Sequence, residues 1–173
     1  MSDPEAETLE KPKSHVLEQV PPHLLMQILP HVADLLEKAC DYSGGRFTPS
    51  DVVQACSGQV PSRIWQLWVV FDPSADAETF GERVLAITVT SLNLYPSGLK
   101  VGEIILIAGH GQSDEWLPYA EDLKLWAMDN ACDRMQFIGR SGFRRKLGSD
   151  WRPAATMYEF DLRAENGRVI QRH

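Results

Sequence analysis

The chain has 173 residues, 43% hydrophobic and 24% charged, with 17 basic against 24 acidic side chains and a net charge of −7. At about 150 residues per domain this is one globular domain with a short tail, long enough to bury a core without staples. The acidic balance excludes a general nucleic-acid binder, and three cysteines without CxxC spacing exclude a disulfide framework or a zinc site.

The charge is unevenly spread. Residues 1–85 carry 13 acidic and 6 basic side chains, whereas residues 86–173 carry 11 of each. The second half therefore holds local basic clusters. The start of the chain lacks the basic and apolar regions of a signal peptide, and apolar runs such as 104–108 are too short to span a bilayer. A soluble, cytoplasmic protein is expected.

Residues 1–20 are polar and rich in Glu, Lys and Pro, and they read as a flexible arm ahead of a single domain over 21–173. Pro21-Pro22 opens a helical stretch in which Leu24, Leu25, Ile28, Val32, Leu35, Leu36 and Ala39 recur at three- and four-residue spacing. Pro30 is expected to break or kink it. Thr48-Pro49-Ser50-Asp51 has the chemistry of a helix start, with Thr as cap and Pro at the first position. That second helix ends near Gly58.

Strands follow. Residues 64–71, 84–92 and 99–108 are dense in Val, Ile and aromatic side chains, separated by turns at Asp72-Pro73-Ser74 and Tyr95-Pro96-Ser97-Gly98. Short connections dictate an antiparallel meander. After Gly109-His110-Gly111-Gln112, a helix is predicted from Ser113, its apolar stripe marked by Trp116, Tyr119, Ala120, Leu123, Trp126, Ala127 and Ala131. Residues 134–138 form a strand joined through that helix, so it runs parallel to the one before. A short helix or turn over 141–147 and a last strand over 154–162 complete the order. The fold class is α+β: a mixed, mostly antiparallel twisted sheet with helices on both faces.

This order resembles the GNAT N-acetyltransferase superfamily over roughly residues 22–162. The carrying residues are Leu67-Trp68-Val69-Val70 early in the sheet, the Gly109-x-Gly111 loop, and Ile138-Gly139-Arg140-Ser141-Gly142-Phe143. Ser43-Gly44-Gly45-Arg46-Phe47, Tyr95-Pro96-Ser97-Gly98 and Gly139-Arg140-x-Gly142-Phe143 are together similar to GNAT-like proteins of tailed bacteriophages and prophages.

The resemblance implies acetyl-CoA or another acyl-CoA as cofactor, lying where the central strand splays from its neighbour. Its pyrophosphate would rest on backbone N–H groups where the helix begins, a favourable place for an anion. The family pattern for the loop is Gln/Arg-x-x-Gly-x-Gly/Ala. Gly109 and Gly111 match it, but Leu106 stands where Gln or Arg is expected. Gly109, His110, Gly111, Gln112 and Ser113 are the candidate cofactor loop, with Arg144 and Arg145 assisting phosphates. Asp114 and Glu115 set two carboxylates beside the same seat, where they act as helix caps or repel the ligand.

The family's general-acid Tyr is absent from 141–147, and Tyr158 on the last strand lies off that motif. Glu103 falls on the strand where such enzymes often carry a carboxylate base. Glu103 and Tyr158 are thus the catalytic candidates, each with the plainer alternative of a strand side chain. His110 could act as a base or simply pack on the helix start. No histidine pair has metal spacing and no GxSxG occurs.

Arg140, Arg144, Arg145, Lys146 and Arg152 lie within 13 residues. They suit the 3′-phosphate of CoA, an acidic partner such as another phage structural protein, or the chain's own acidic arm. Trp151 beside them would favour docking if exposed. Two functions follow. One is a phage- or prophage-encoded N-acyltransferase with a degenerate CoA loop. The other is a non-catalytic virion component or assembly protein on the same fold.

Overall fold

In a computed structural model, residues 14–62, 64–138, 143, 146–147 and 151–153 are described. Their centre is a five-stranded sheet in the order β1-β2-β3-β4-β5. β1 is Val16–Gln19, β2 Trp65–Phe71, β3 Val84–Leu94, β4 Lys100–Gly109 and β5 Arg134–Phe137. The first four strands pair antiparallel, and β5 joins β4 in parallel. The meander and the crossover strand thus stand as the apolar runs predicted them.

Two helices cover one face. α1 runs over Leu25–Tyr42 and α2 over Pro49–Cys56. Thr48 caps α2 reciprocally: its Oγ1 accepts from Asp51 N–H at 3.2 Å, and Asp51 Oδ2 accepts from Thr48 N–H at 2.8 Å. Leu25, Val32, Leu35, Leu36 and Ala39 of α1 pack on Leu67, Val69, Ile87, Val89 and Leu106 of the sheet. The other face is covered by α5, Ala120–Asp129, whose Leu123, Trp126 and Ala127 meet Trp68 and Ile104. Trp68 packs edge-on against Trp126 at 5.8 Å and donates its indole N–H to Thr90 Oγ1 at 2.8 Å. α5 lies so near β4 that a Cβ on Gly102 would stand 3.2 Å from both Ala127 and Trp126.

Five expectations change. The flexible arm does not extend to residue 20, because Val16–Gln19 pair with residues 68–71 as an edge strand. Backbone bonding to an open sheet edge holds a strand with little apolar content, and Leu17 adds a partly buried anchor. α1 runs unbroken through Pro30. The bond that Pro30 forgoes belongs to the carbonyl of Met26, an exposed residue whose surroundings let water replace it. The helix from Ser113 is not continuous: α4 is Ser113–Trp116, then a 3-10 turn spans Leu117–Tyr119 before α5. Pro118 tightens that junction. Ala131 lies beyond α5 with φ 53°, an exposed turn residue rather than part of the stripe. A short helix, α3 at Phe80–Arg83, also joins β2 to β3 where only a turn was expected.

The strand predicted over 154–162, Tyr158, and the Gly139 to Gly142 motif lie outside the described residues. So do Arg144 and Arg145. No helix among the described residues is long and apolar enough to cross a membrane.

Candidate functional site

β4 carries two irregularities at one place. The first is a bulge: Val89 pairs with Leu106, but the next residue, Thr90, pairs with Ile104. Ile105 is the extra residue. Ile105 and Leu106 both join the α1-side core, while Ile104 and Ile107 join the α5-side clusters. A bulge turns the strand and increases its twist. The second is the end of the parallel pairing with β5, at Ile104 and Phe137. Beyond it β4 continues to Gly109 with no strand on that edge among the described residues. β5 itself ends at Phe137, and a groove of about 820 Å³ runs along this stretch of β4.

Glu103 lies at one end of the groove and Gly109, Gly111 and Ser113 at the other. Gly109 lies six positions along the strand from Glu103, roughly 20 Å at about 3.3 Å per residue. Asn93 on β3 holds Glu103, donating from Nδ2 to Oε2 at 3.0 Å and to Ser91 Oγ at 3.0 Å. Glu103 Oε1 has no bond among the described residues. The far wall comes from the end of α1 and the segment after it, with Lys38, Tyr42, Arg46 and Phe47, and from Trp65. Phe47 meets Trp65 edge-on at 5.1 Å. Phe143 closes the β5 side, stacked on Phe137 at 5.7 Å and edge-on to Trp116 at 6.2 Å.

The glycine loop is more committed than its sequence suggests. A Cβ on Gly109 would lie 2.4 Å from the Trp116 ring, so glycine is required there by an indole of this chain. Gly111 has φ 64°, and a Cβ on it would lie 2.9 Å from the Glu115 carboxylate. Glu115 Oε1 accepts the N–H of Gln112 at 3.3 Å, so a carboxylate of the protein occupies the amide proposed for a phosphate. His110 donates its own N–H to Leu85 O at 2.8 Å, and its ring faces Asp34 at 3.7 Å. Neither His110 nor Gln112 lines the groove.

The basic run meets this loop at one described point. Lys146 Nζ donates to Ser113 Oγ at 2.8 Å and pairs with Asp114. Asp114 is therefore neutralised rather than left to repel an anion. Arg152 is exposed, and Trp151 is half-buried with its indole N–H on Glu121 at 2.8 Å and Lys124 over its ring.

No sequence motif marks Lys38. Its Nζ donates to Gly109 O at 2.7 Å, across 71 residues of chain. Only the i, i+4 alignment of Asp34 with Lys38 on one helix face hinted at a shared target. The cysteines are no rivals as nucleophiles. Burial, helped by Asp41 and Asp51, pushes the Cys40 thiol up to about 11, and burial alone pushes Cys56 to about 12. Both stay protonated at neutral pH.

These residues fit the arm of an acyl-CoA: an open strand edge offers backbone groups to an extended amide chain, along a groove of sufficient length. At the phosphate end they offer Lys38 and Ser113, with Glu115 opposing.

No protein-family model matches the sequence, and no curated protein matches it. Solved structures do match. The predicted acetyltransferase with acetyl-CoA from Clostridium acetobutylicum aligns with a TM-score of 0.57 at 8% identity, covering 88% of this chain and 99% of that one. A GNAT family acetyltransferase from Staphylococcus aureus gives 0.55 at 8% identity, over 86% and 99%. An integron cassette protein from V. cholerae gives 0.53 at 16% identity, over 90% and 98%. The chain therefore has the GNAT fold, the mixed α+β sheet of acyl-CoA N-acyltransferases.

Proposed function

We propose that this chain is an N-acyltransferase that takes an acyl group from acyl-CoA and places it on an amine. The observation that carries this reading is the end of the β4–β5 pairing at Ile104 and Phe137, beyond which residues 105–109 have no strand on that edge among the described residues and lie along a groove that reaches Glu103. When bound, acyl-CoA supplies the activated acyl group. Glu103 receives the proton of the acceptor ammonium, and Asn93 keeps its carboxylate facing the groove. Phe143 and Trp116 shield the open edge from water. The proposed setting is the bacterial cytoplasm, in a phage or prophage context taken from the residue resemblance alone.

A second reading has its own support. Glu115 occupies the Gln112 amide, and Leu106 stands where the resemblance expects a polar donor. Both suit a protein that keeps the fold without catalysis and docks on a partner, through its basic run or otherwise. Calorimetric titration of acetyl-CoA decides between them. Saturable heat together with amine-dependent release of free CoA supports the enzyme. The absence of heat up to millimolar ligand sinks it and leaves the docking reading.

A further inference from the structure

Lys38 is a cation in the groove wall that meets no anion among the described residues. It is half-buried and lines the groove beside Gly109, Gly111 and Ser113. An ammonium has three donors, and the single bond here goes to a neutral carbonyl, Gly109 O at 2.7 Å. No carboxylate pairs with it among the described residues. Asp34, one turn earlier and well placed to be its partner, faces His110 instead. Among the described residues, two of the three Lys38 donors are thus left for water or for a ligand in the groove.

The bond to Gly109 also fixes where the charge sits. It holds the ammonium at the loop end of β4, where the open edge of the strand stops. Glu103, the one carboxylate lining the groove among the described residues, lies at the opposite end. Lys38 therefore sets a cation at the loop end, where Glu115 on the Gln112 amide opposes it, and Arg46 is a second cation in the groove wall. Ser113 adds a hydroxyl at the positive end, and Lys146 has neutralised Asp114 beside it.

We propose that Lys38 binds the phosphate groups of the acyl donor at the glycine-loop end of the groove. It takes over the task of the polar side chain that Leu106 lacks. This rests on the acyltransferase reading above, and it adds a residue that neither the loop motif nor the basic run contains. A charge-assisted contact of this kind is worth about ten- to a hundredfold in affinity.

The test is calorimetry with two probes, acetyl-CoA and acetyl-pantetheine, the second lacking every phosphate. Lys38→Met is expected to weaken acetyl-CoA about tenfold or more while leaving acetyl-pantetheine within about twofold. Lys38→Arg, which keeps the charge, is expected to retain acetyl-CoA binding. Equal loss for both probes overturns the proposal, because Lys38 would then only shape the groove. Unchanged acetyl-CoA affinity in a folded Lys38→Met protein overturns it too. A wild type that binds neither probe overturns the acyltransferase reading itself, a different failure. A measurement on the wild-type chain needs no variant. Saturating acetyl-CoA is expected to protect Lys38 from an amine-reactive reagent, read by peptide mass spectrometry, and acetyl-pantetheine is not. Labelling of Lys38 at the same rate with and without bound acetyl-CoA sinks the assignment.

Discussion

β4 is two strands in one. From Val101 to Ile104 it is held on both sides, by β3 and by β5, and α5 lies against it at Gly102. From Ile105 to Gly109 it keeps β3 but loses β5, and the bulge at Ile105 marks the change. The first part has its backbone paired on both sides, so only side chains such as Glu103 can serve a ligand there. The second has no strand on that edge among the described residues, and an open edge in a native sheet calls for protection or use. The difference teaches that the site follows from where pairing stops, and no single residue creates it.

The sharpest way to exploit that difference is at Glu103, the groove carboxylate on the paired part. In Glu103→Gln the amide can still accept from Asn93, so folding should shift by no more than about 0.5 kcal/mol. If Glu103 moves the acceptor's proton, amine acylation should fall about a hundred- to ten-thousandfold. Steady-state turnover and a urea melt on one preparation check both halves. An unchanged rate would return Glu103 to the role of a strand side chain tied to Asn93.

Ile104 is the next test, at the last paired position and fully buried. Truncation in Ile104→Ala leaves a cavity between β4 and α5, and about 3 kcal/mol of stability should be lost. The urea midpoint should fall accordingly. A loss under about 1 kcal/mol would mean that the paired part is less tightly packed than its burial indicates.

The apolar runs of β2, β3 and β4 announced themselves in the sequence because buried strands need continuous Val, Ile and aromatic content. The parallel placement of β5 followed from chain connectivity. β1 escaped because an edge strand is held by backbone bonding, which leaves little trace in side chains; only Leu17 points to it. The break after Trp116 escaped because the apolar stripe continues in phase across it, with Tyr119, Ala120 and Leu123 all buried. At the site, Glu103, Gly109, Gly111 and Ser113 were legible through local motifs and do share the groove. Lys38 and Tyr42 were not, since tertiary contact alone brings α1 beside the loop. The motif also misassigned a cause: Gly109 is small because Trp116 fills its space.

That cause can be tested on the unpaired part. Gly109→Ala places a methyl inside the van der Waals radius of the Trp116 ring. Overpacking of this kind costs about 2 kcal/mol. The loss should appear in thermal melts whether or not acetyl-CoA is present. If the alanine variant melts like the wild type yet binds acetyl-CoA poorly, Gly109 serves the ligand and the indole adapts.

The smallest effect should come from the ties between α1 and the loop. Asp34 and His110 face each other at 3.7 Å with side chains 68% and 50% exposed, a separation and exposure at which water screens most of the attraction. Such pairs contribute under about 1 kcal/mol, so Asp34→Asn should move the unfolding midpoint barely at all. Lys38, one turn along, makes a shorter and more buried bond to Gly109 O. The two substitutions therefore separate a tie that holds the loop from one that only faces it. If Asp34→Asn cost as much stability as Lys38→Met, the loop would depend on both contacts, and its position at the open end of β4 would be set by α1 as a whole.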